Sequence, residues 1–291
     1  MDKNYLISVS KDNTLRLWDL KSFECVFVQK IDFGFFIPLV IDEQFLYTYS
    51  PKLGLILWSW KTRKIIKKIK CDLGRNTCSL AVDNTYVYCC PYIKSKKEWG
   101  IGIISKQTWK LHKFIPINKL SKECSRIIID RDQLYALCLL DLIEVNLKNY
   151  EQIIDWNPIN EDVYSFSLDS QNYYIGPFVI SRKTRQHIAT LLENNNQEIH
   201  HVKNDNDFIY LSSGDLNYPY VTVWQKNIWK LHQKLSMPIQ NSRSSVECVI
   251  ISENYVYISR FNEISIWAKK EWQCVQILSG HSDWITNLIV F

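Results

Sequence analysis

The feature that most constrains this sequence is a repeat with a period of about 40 residues. A short strand-like segment that contains one large apolar residue and ends in a polar turn recurs seven times among the 291 residues. The apolar residue at the centre of each copy is Trp18, Trp58, Ile104, Val145, Ile180, Trp224 or Trp267. Seven such periods account for the whole length of the sequence.

Two further patterns recur in step with the first. An apolar strand, a polar turn and an aromatic strand precede five of the central residues, and these segments end at Tyr47, Tyr88, Tyr135, Tyr174 and Tyr257. An aromatic residue follows five of the central residues at the same distance, at Phe23, Trp109, Tyr150, Trp229 and Trp272. The segments WKLHK from Trp109 and WKLHQ from Trp229 are almost identical.

Each period therefore predicts four short strands with alternating apolar residues and no helix of comparable strength. Four-stranded antiparallel units repeated about a common axis form a β-propeller. The sequence predicts an all-β, seven-bladed β-propeller that occupies residues 1–291 as one domain. A β-sandwich is the alternative, but it gives no reason for a constant period.

Composition adds limits on the kind of protein. The chain has only 8 glycines, so Asn, Asp, Ser and Lys must supply most turn positions. Its nine cysteines show no regular spacing, which predicts reduced and mostly buried thiols in a cytoplasmic protein, without a metal site. No apolar stretch is long enough to span a membrane, and the N-terminus lacks the apolar segment of a secretory signal.

One repeat carries a specific family motif. The segment SVSKDNTLRLWD, Ser8 to Asp19, resembles the WD-repeat family, and Gly280-His281 matches the Gly-His pair of that family. The other six repeats keep the period but lack both features. The resemblance implies a hydrogen-bonded structural tetrad of His281, Ser8 (or Ser10), Asp12 and Trp18 in one blade.

The two ends of the sequence fit one blade. Ile285 to Phe291 has the pattern of an innermost strand, and Tyr5 to Ser10 has that of the strand that follows it. We therefore expect the C-terminal strand to pair with the N-terminal strands, which removes exposed sheet edges. Because the chain begins within a blade, it could also be a module of a longer protein.

Residue types that suggest catalysis have simpler interpretations. The His281, Ser8 and Asp12 set resembles a hydrolase triad, but we expect it to be buried and structural. His200 and His201 are adjacent, so in a strand they point to opposite faces. The acidic pairs Asp205/Asp207 and Glu161/Asp162 are interpreted as solvated turn charges. No catalytic motif is found, so neither enzymatic activity nor a cofactor is predicted.

The positive charge is concentrated in one part of the sequence. Residues 61–122 contain 15 Lys and Arg against 3 Asp and Glu. Thr62 to Lys70 should form the outermost strand of a blade, where lysines protect an exposed edge. Pro91 to Gly100 should form a long loop between the second and third strands of its blade. Lys94, Lys96, Lys97 and Trp99 in this loop suit an acidic peptide or a phosphate-bearing ligand, although a solvated loop is the alternative.

Two other extended segments, Ser213 to Tyr220 and Ser236 to Ser245, have the composition of exposed loops. Tyr218 and Tyr220 are candidate contact residues there. The leading hypothesis is a monomeric scaffold or adaptor that binds a protein or peptide on its loop face, with an acidic partner as one candidate. The alternatives are a basic face that binds nucleic acid or anionic lipid, of which nucleic acid has the weaker support, and a propeller enzyme with its site in the central channel.

Overall fold

The computed structural model describes residues 4–31, 38–50, 52–70, 79–93, 98–117, 124–138, 141–156, 163, 165–193, 198–213, 219–236 and 245–291. All regular elements in these ranges are β-strands, and they form seven antiparallel sheets. None of the described residues forms a helix that could cross a membrane. The fold is therefore a seven-bladed β-propeller, which confirms the predicted class and number of blades.

Contacts divide the chain into two compact units, Met1–Ile31 with Val163–Phe291 and Asp32–Asp162. The first unit contains blades 1, 5, 6 and 7. Their strands, in sheet order, are β29 (Ile285–Val290), β1 (Tyr5–Ser10), β2 (Thr14–Asp19) and β3 (Cys25–Lys30); β17 (Phe166–Leu168), β18 (Asn172–Ile175), β19 (Phe178–Ser181) and β20 (His187–Thr190); β21 (Ile199–Asn204), β22 (Phe208–Ser213), β23 (Tyr220–Gln225) and β24 (Lys230–Ser236); and β25 (Val246–Ile251), β26 (Tyr255–Arg260), β27 (Glu263–Ala268) and β28 (Gln273–Ser279).

The second unit contains blades 2, 3 and 4. Their strands are β4 (Leu39–Ile41), β5 (Leu46–Ser50), β6 (Gly54–Ser59) and β7 (Lys64–Ile69); β8 (Leu80–Val82), β9 (Tyr86–Cys89), β10 (Tyr92–Ile93), β11 (Glu98–Ser105) and β12 (Leu111–Pro116); and β13 (Cys124–Asp130), β14 (Gln133–Cys138), β15 (Asp141–Asn146) and β16 (Gln152–Trp156). Blade 3 has one short strand, β10, more than the predicted four. Within each unit the first strands of successive blades contact one another, as the axial strands of a propeller do.

Blade 1 is assembled from both ends of the chain. Strand β29 pairs antiparallel with β1, and Ser8 lies opposite Leu288. Beyond the strands, the Tyr5 amide donates to the Phe291 carbonyl at 3.1 Å and the Phe291 amide donates to the Tyr5 carbonyl at 3.0 Å. The predicted pairing of the C-terminal strand with the N-terminal strands is confirmed.

The turn between the third and fourth strands explains the low glycine content. In each blade one non-glycine residue of this turn has a φ between 53° and 60°, in the left-handed region: Phe23, Arg63, Trp109, Tyr150, Arg185, Trp229 or Trp272. Five of them are the aromatic residues that recur in the sequence. Just beyond the turn, strand pairing slips by one residue and leaves a bulge in the fourth strand. Bulky residues thus occupy positions where glycine is less strained.

This backbone strain can be measured at Arg185, whose φ is 59°. We expect Arg185→Gly to be more stable than Arg185→Ala by about 1 kcal/mol, because both variants lose the side chain and only glycine relieves the left-handed conformation. Urea unfolding of the two variants gives the difference. Equal stability, or a more stable alanine variant, would contradict this interpretation.

The cysteines require a correction. Cys124 and Cys138, which face each other across β13 and β14, form a disulfide, so the prediction that all cysteines are reduced is wrong for this pair. Sequence spacing did not reveal it, because the strand register brings the two residues together. Cys89, Cys90 and Cys248 are buried and lie outside any disulfide, in agreement with the prediction for them.

Candidate functional site

The residues assigned to a structural tetrad lie in one hydrogen-bonded network in blade 1. The Trp18 indole N–H donates to the Ser8 hydroxyl at 2.8 Å, and that hydroxyl lies 2.7 Å from Nε2 of His281. Nδ1 of His281 lies 2.8 Å from a carboxylate oxygen of Asp12. With Nδ1 protonated, every donor in this sequence of contacts meets an acceptor. The network joins residues 273 positions apart in the chain.

Two neighbouring residues define the network further. Ser10, the alternative to Ser8, donates its hydroxyl to the Asp283 carbonyl and accepts the backbone N–H of Asp12 at 3.1 Å. The hydroxyl that contacts His281 is that of Ser8. Thr14, which sequence reasoning did not include, donates its hydroxyl to Asp12 at 2.6 Å and lies 3.0 Å from Nδ1 of His281. The amide of Ser282 also donates to Asp12 at 3.0 Å. Asp12 is therefore held by the turn on which it lies and by the loop that carries His281.

Burial and hydrogen bonds together set the protonation states of His281 and Asp12. It lowers the pKa of His281 and outweighs the opposing effect of Asp12, so the neutral imidazole is favoured. Burial also raises the pKa of Asp12, but hydrogen bonds from Thr14, His281 and Ser282 outweigh that effect and leave the pKa below its usual value. Ser8 is 0% exposed, and its hydroxyl already has two partners. A substrate could not reach it without opening the blade, so the arrangement is unsuited to nucleophilic catalysis.

The lowered pKa of His281 predicts a loss of stability in acid. Its pKa in the folded state lies below the unfolded value of about 6.5, so its contribution is complete above that pH and is lost as the pH falls. One proton limits the slope to about 1.4 kcal/mol per pH unit. Between pH 7.5 and 5.5, the free energy of unfolding in urea should fall more for the wild type than for His281→Gln. Equal losses would contradict the assignment.

A second hydrogen-bonded arrangement recurs at the turn between the first and second strands. One oxygen of an aspartate accepts backbone N–H groups two and three residues further on. The other oxygen accepts a tyrosine hydroxyl five residues further on and the ammonium of a lysine in the next blade, at 2.6–2.7 Å. We call each set an Asp–Tyr–Lys latch. Within the described ranges we assign Asp42–Tyr47–Lys106, Asp169–Tyr174–Lys226 and Asp205–Tyr210–Lys269.

The aspartates of the latches are ionised at neutral pH. Burial raises the pKa of each aspartate, but the lysine and tyrosine hydrogen bonds outweigh it, so the pKa values of Asp42 and Asp205 are lowered and that of Asp169 falls to about 2. Burial and the adjacent carboxylate raise the pKa of the tyrosines above its usual value. The interpretation of Asp205 as a solvated turn charge is therefore wrong. It lies in a turn, but its carboxylate joins two blades.

The near-identical segments WKLHK and WKLHQ form equivalent aromatic stacks. His112 and His232 occupy the bulge of the fourth strand in blades 3 and 6. The His112 ring is 5.1 Å from Tyr86 and 6.0 Å from Tyr150 of the next blade. The His232 ring is 4.9 Å from Phe208 and 5.4 Å from Trp272 of the next blade. The repeated histidine thus packs between an aromatic of its own blade and one of its neighbour.

Most of the candidate partner-binding residues lie outside the described residues. Pro91–Gly100 does connect the second and third strands of blade 3, as predicted, and β10 pairs with the start of β11 to form a short hairpin. Trp99 lies on this hairpin and is half-buried. Lys94, Lys96 and Lys97, which come between β10 and β11 in the sequence, lie outside the described residues, and so does Tyr218. Tyr220 is described but mostly buried, with the Lys234 ammonium 3.6 Å from its ring centroid, and offers little surface to a partner.

A small polar group lies at the start of the axial strands of blades 6 and 7. His200 occupies a bulge, and its Nε2 is 3.8 Å from the Glu198 carboxylate. Burial raises the pKa of Glu247, which accepts the Ser245 hydroxyl at 2.7 Å, while His200 and Lys11 oppose the shift. No set of three metal-ligating side chains occurs within the described ranges. Glu161 and Asp162 lie outside those ranges.

Comparison with known proteins gives the class of the fold. No family model matches the chain, and no curated protein sequence matches it. The computationally designed protein Ika8 is similar in structure, with a TM-score of 0.69 and 14% identity over 98% of this chain and 87% of that one. The dihydro-heme d1 dehydrogenase NirN in complex with DHE is also similar in structure, with a TM-score of 0.66 and 14% identity over 96% of this chain and 64% of that one.

The β-propeller domain of Cps50 (Swd1) from Myceliophteria thermophila is also similar, with a TM-score of 0.66 and 14% identity over 84% of this chain and 86% of that one. At this identity the likeness concerns the fold alone. The chain is thus a β-propeller protein, in agreement with its own seven sheets.

Proposed function

We propose that the protein is a WD-repeat-like, non-catalytic platform in the cytoplasm, formed by residues 1–291 as one domain, that binds a protein or peptide on its loop face. The observation that carries this proposal is the β10–β11 hairpin, which extends one inter-strand connection beyond the four-stranded blade. Loops supported by a rigid scaffold are common binding surfaces. The hairpin carries Trp99, and the sequence between its two strands contains Lys94, Lys96 and Lys97, a composition that suits an acidic peptide.

The tetrad and the latches support this proposal. Polar residues that resemble catalytic groups are hydrogen-bonded to other side chains within or between blades, so they stabilise the scaffold, and the Ser8 hydroxyl is not exposed to solvent. The second hypothesis is an enzyme, and the polar group around His200 and Glu247 favours it, since half-buried carboxyls with raised pKa values are frequent in active sites. We prefer the platform because Ser245, whose hydroxyl donates to Glu247, is a buried residue and does not present that hydroxyl to a substrate.

Affinity capture from the native extract tests the platform. We expect one macromolecule to bind the wild type and to be lost, by at least tenfold, with Lys94/Lys96/Lys97→Glu, because charge reversal repels an acidic partner. Trp99→Ala should weaken the same interaction. The matched control is Lys64/Lys67/Lys68→Glu, which changes the charge equally on the outer strand of blade 2. Equal loss with both triple variants, or none with either, would contradict a site on the hairpin.

A further inference from the structure

The outer strands of blades 2 and 3, with the residues that flank them, carry clustered exposed lysines, and we call this part of the surface the basic rim. It consists of seven exposed lysines: Lys61, Lys64, Lys67, Lys68, Lys70, Lys110 and Lys113. From Lys61 to Lys70 the chain has six basic residues and no acidic one. The Lys67 ammonium lies 5.4 Å from the centroid of the Trp109 ring, which links the two blades. Within the described ranges no carboxylate pairs with Lys64, Lys67 or Lys68.

The same two outer strands each carry an exposed aliphatic side chain. Ile66 occupies the bulge of β7 and is 51% exposed, and Leu111 at the start of β12 is 49% exposed. Ile188 occupies the equivalent bulge of β20 in blade 5 and is 44% exposed, but β20 contains no lysine. The basic rim is therefore distinguished by the combination of projecting aliphatic side chains and clustered lysines.

The backbone of β7 limits what this surface can bind. A strand added to the edge of β7 would need a regular ladder, and the bulge at Ile66 interrupts it. Bulges and lysines on an edge both oppose strand addition. A ligand of the basic rim must therefore meet its side chains, which favours an extended anionic surface over an acidic β-strand.

We propose that the basic rim binds the surface of an anionic membrane. The lysines would contact lipid phosphates and carboxylates, while Ile66 and Leu111 would enter the interfacial layer, as aliphatic residues of peripheral proteins do. A nucleic acid would use the same lysines but gives no role to two exposed aliphatic side chains. A membrane accounts for both observations. This site is separate from the hairpin proposed for protein binding.

Co-sedimentation with vesicles tests the proposal. The intact chain is mixed at 50 and at 200 mM salt with vesicles of phosphatidylcholine alone or with about 30% phosphatidylserine. We expect binding only to the anionic vesicles, weaker at high salt. Lys64/Lys67/Lys68→Gln should reduce the partition coefficient about 100-fold, since each lysine near an anionic surface contributes roughly fivefold. Lys94/Lys96/Lys97→Gln serves as a control of equal charge and should bind more tightly than the rim variant.

The aliphatic contribution separates a membrane from other polyanions. Ile66→Ser should weaken vesicle binding severalfold, whereas Ile188→Ser, at the same bulge position in blade 5, should not change it. These single surface variants also serve if the triple variant does not fold. Absence of binding to anionic vesicles would overturn the proposal. Equal binding of a DNA duplex, with no effect of Ile66→Ser, would assign the basic rim to nucleic acid and would likewise overturn it.

Discussion

Replacing His281 with alanine is expected to lower the free energy of unfolding by about 3 kcal/mol. The change removes the partner of the Ser8 hydroxyl and of the Asp12 carboxylate, both of which lie inside the blade. Buried polar groups left without partners cost about 1–3 kcal/mol each. Loss of the imidazole also leaves a cavity beside Trp18, whose ring centroid lies 6.4 Å from that of His281. Equilibrium unfolding in urea gives the free energy directly.

The control for this experiment is His187→Ala. His187 is exposed, and its ring contacts the Thr190 hydroxyl at 2.9 Å within the same outer strand. Its removal should change stability by less than about 0.5 kcal/mol. If the two histidine variants were equally stable, the network around His281 would not have the structural importance that we give it.

Replacing Asp205 with alanine is expected to cost about 2–3 kcal/mol. The carboxylate accepts two backbone N–H groups, the Tyr210 hydroxyl and the Lys269 ammonium, so the substitution leaves four donors without their acceptor. Asp207→Ala, two residues further on and exposed, is the matched control and should be nearly neutral. A small effect of Asp205→Ala on urea unfolding would argue against the latch.

A double-mutant cycle isolates the ion pair within this latch. Asp205→Ala and Lys269→Met should couple by about 1 kcal/mol, because both side chains are mostly buried. The pair Asp132 and Lys148 has a similar distance, 2.8 Å, but its side chains are 59% and 72% exposed. We expect no measurable coupling there. Equal coupling in the two cycles would mean that burial does not distinguish the latch from a surface ion pair.

The features that could be predicted from sequence are those that depend on the local pattern of residues. Alternation and period set the strands, so the seven blades and the place of β7 as an outer strand followed from the spacing of residues such as Trp18 and Trp58. The register that joins Tyr5 to Phe291 could be inferred because both end segments match the pattern of internal repeats. The choice between Ser8 and Ser10 could not be made, since both point to the same side of β1.

The features that were missed depend on contacts between blades or across strands. Asp42 and Tyr47 lie in one of the repeated segments, but Lys106 lies 64 residues from Asp42, and nothing in the local sequence pairs the two. The disulfide between Cys124 and Cys138 likewise depends on strand register. Both contacts depend on how strands and blades pack together, which the local sequence pattern does not specify. The turns between the third and fourth strands could be predicted in part. The repeated aromatic residue, such as Trp109 or Trp272, indicated their position in the sequence but not their left-handed backbone conformation.

The central claim is that the two ends of the chain complete one blade through the contact between Ser8 and His281. A double-mutant cycle of Ser8→Ala and His281→Ala, measured by urea unfolding, tests it most directly, because coupling energy arises only between side chains that interact. We predict about 1–2 kcal/mol of coupling. Ser265→Ala, whose hydroxyl accepts the Trp267 indole N–H at 3.0 Å, is the control and should be additive with His281→Ala. Additivity of Ser8→Ala and His281→Ala would contradict the account.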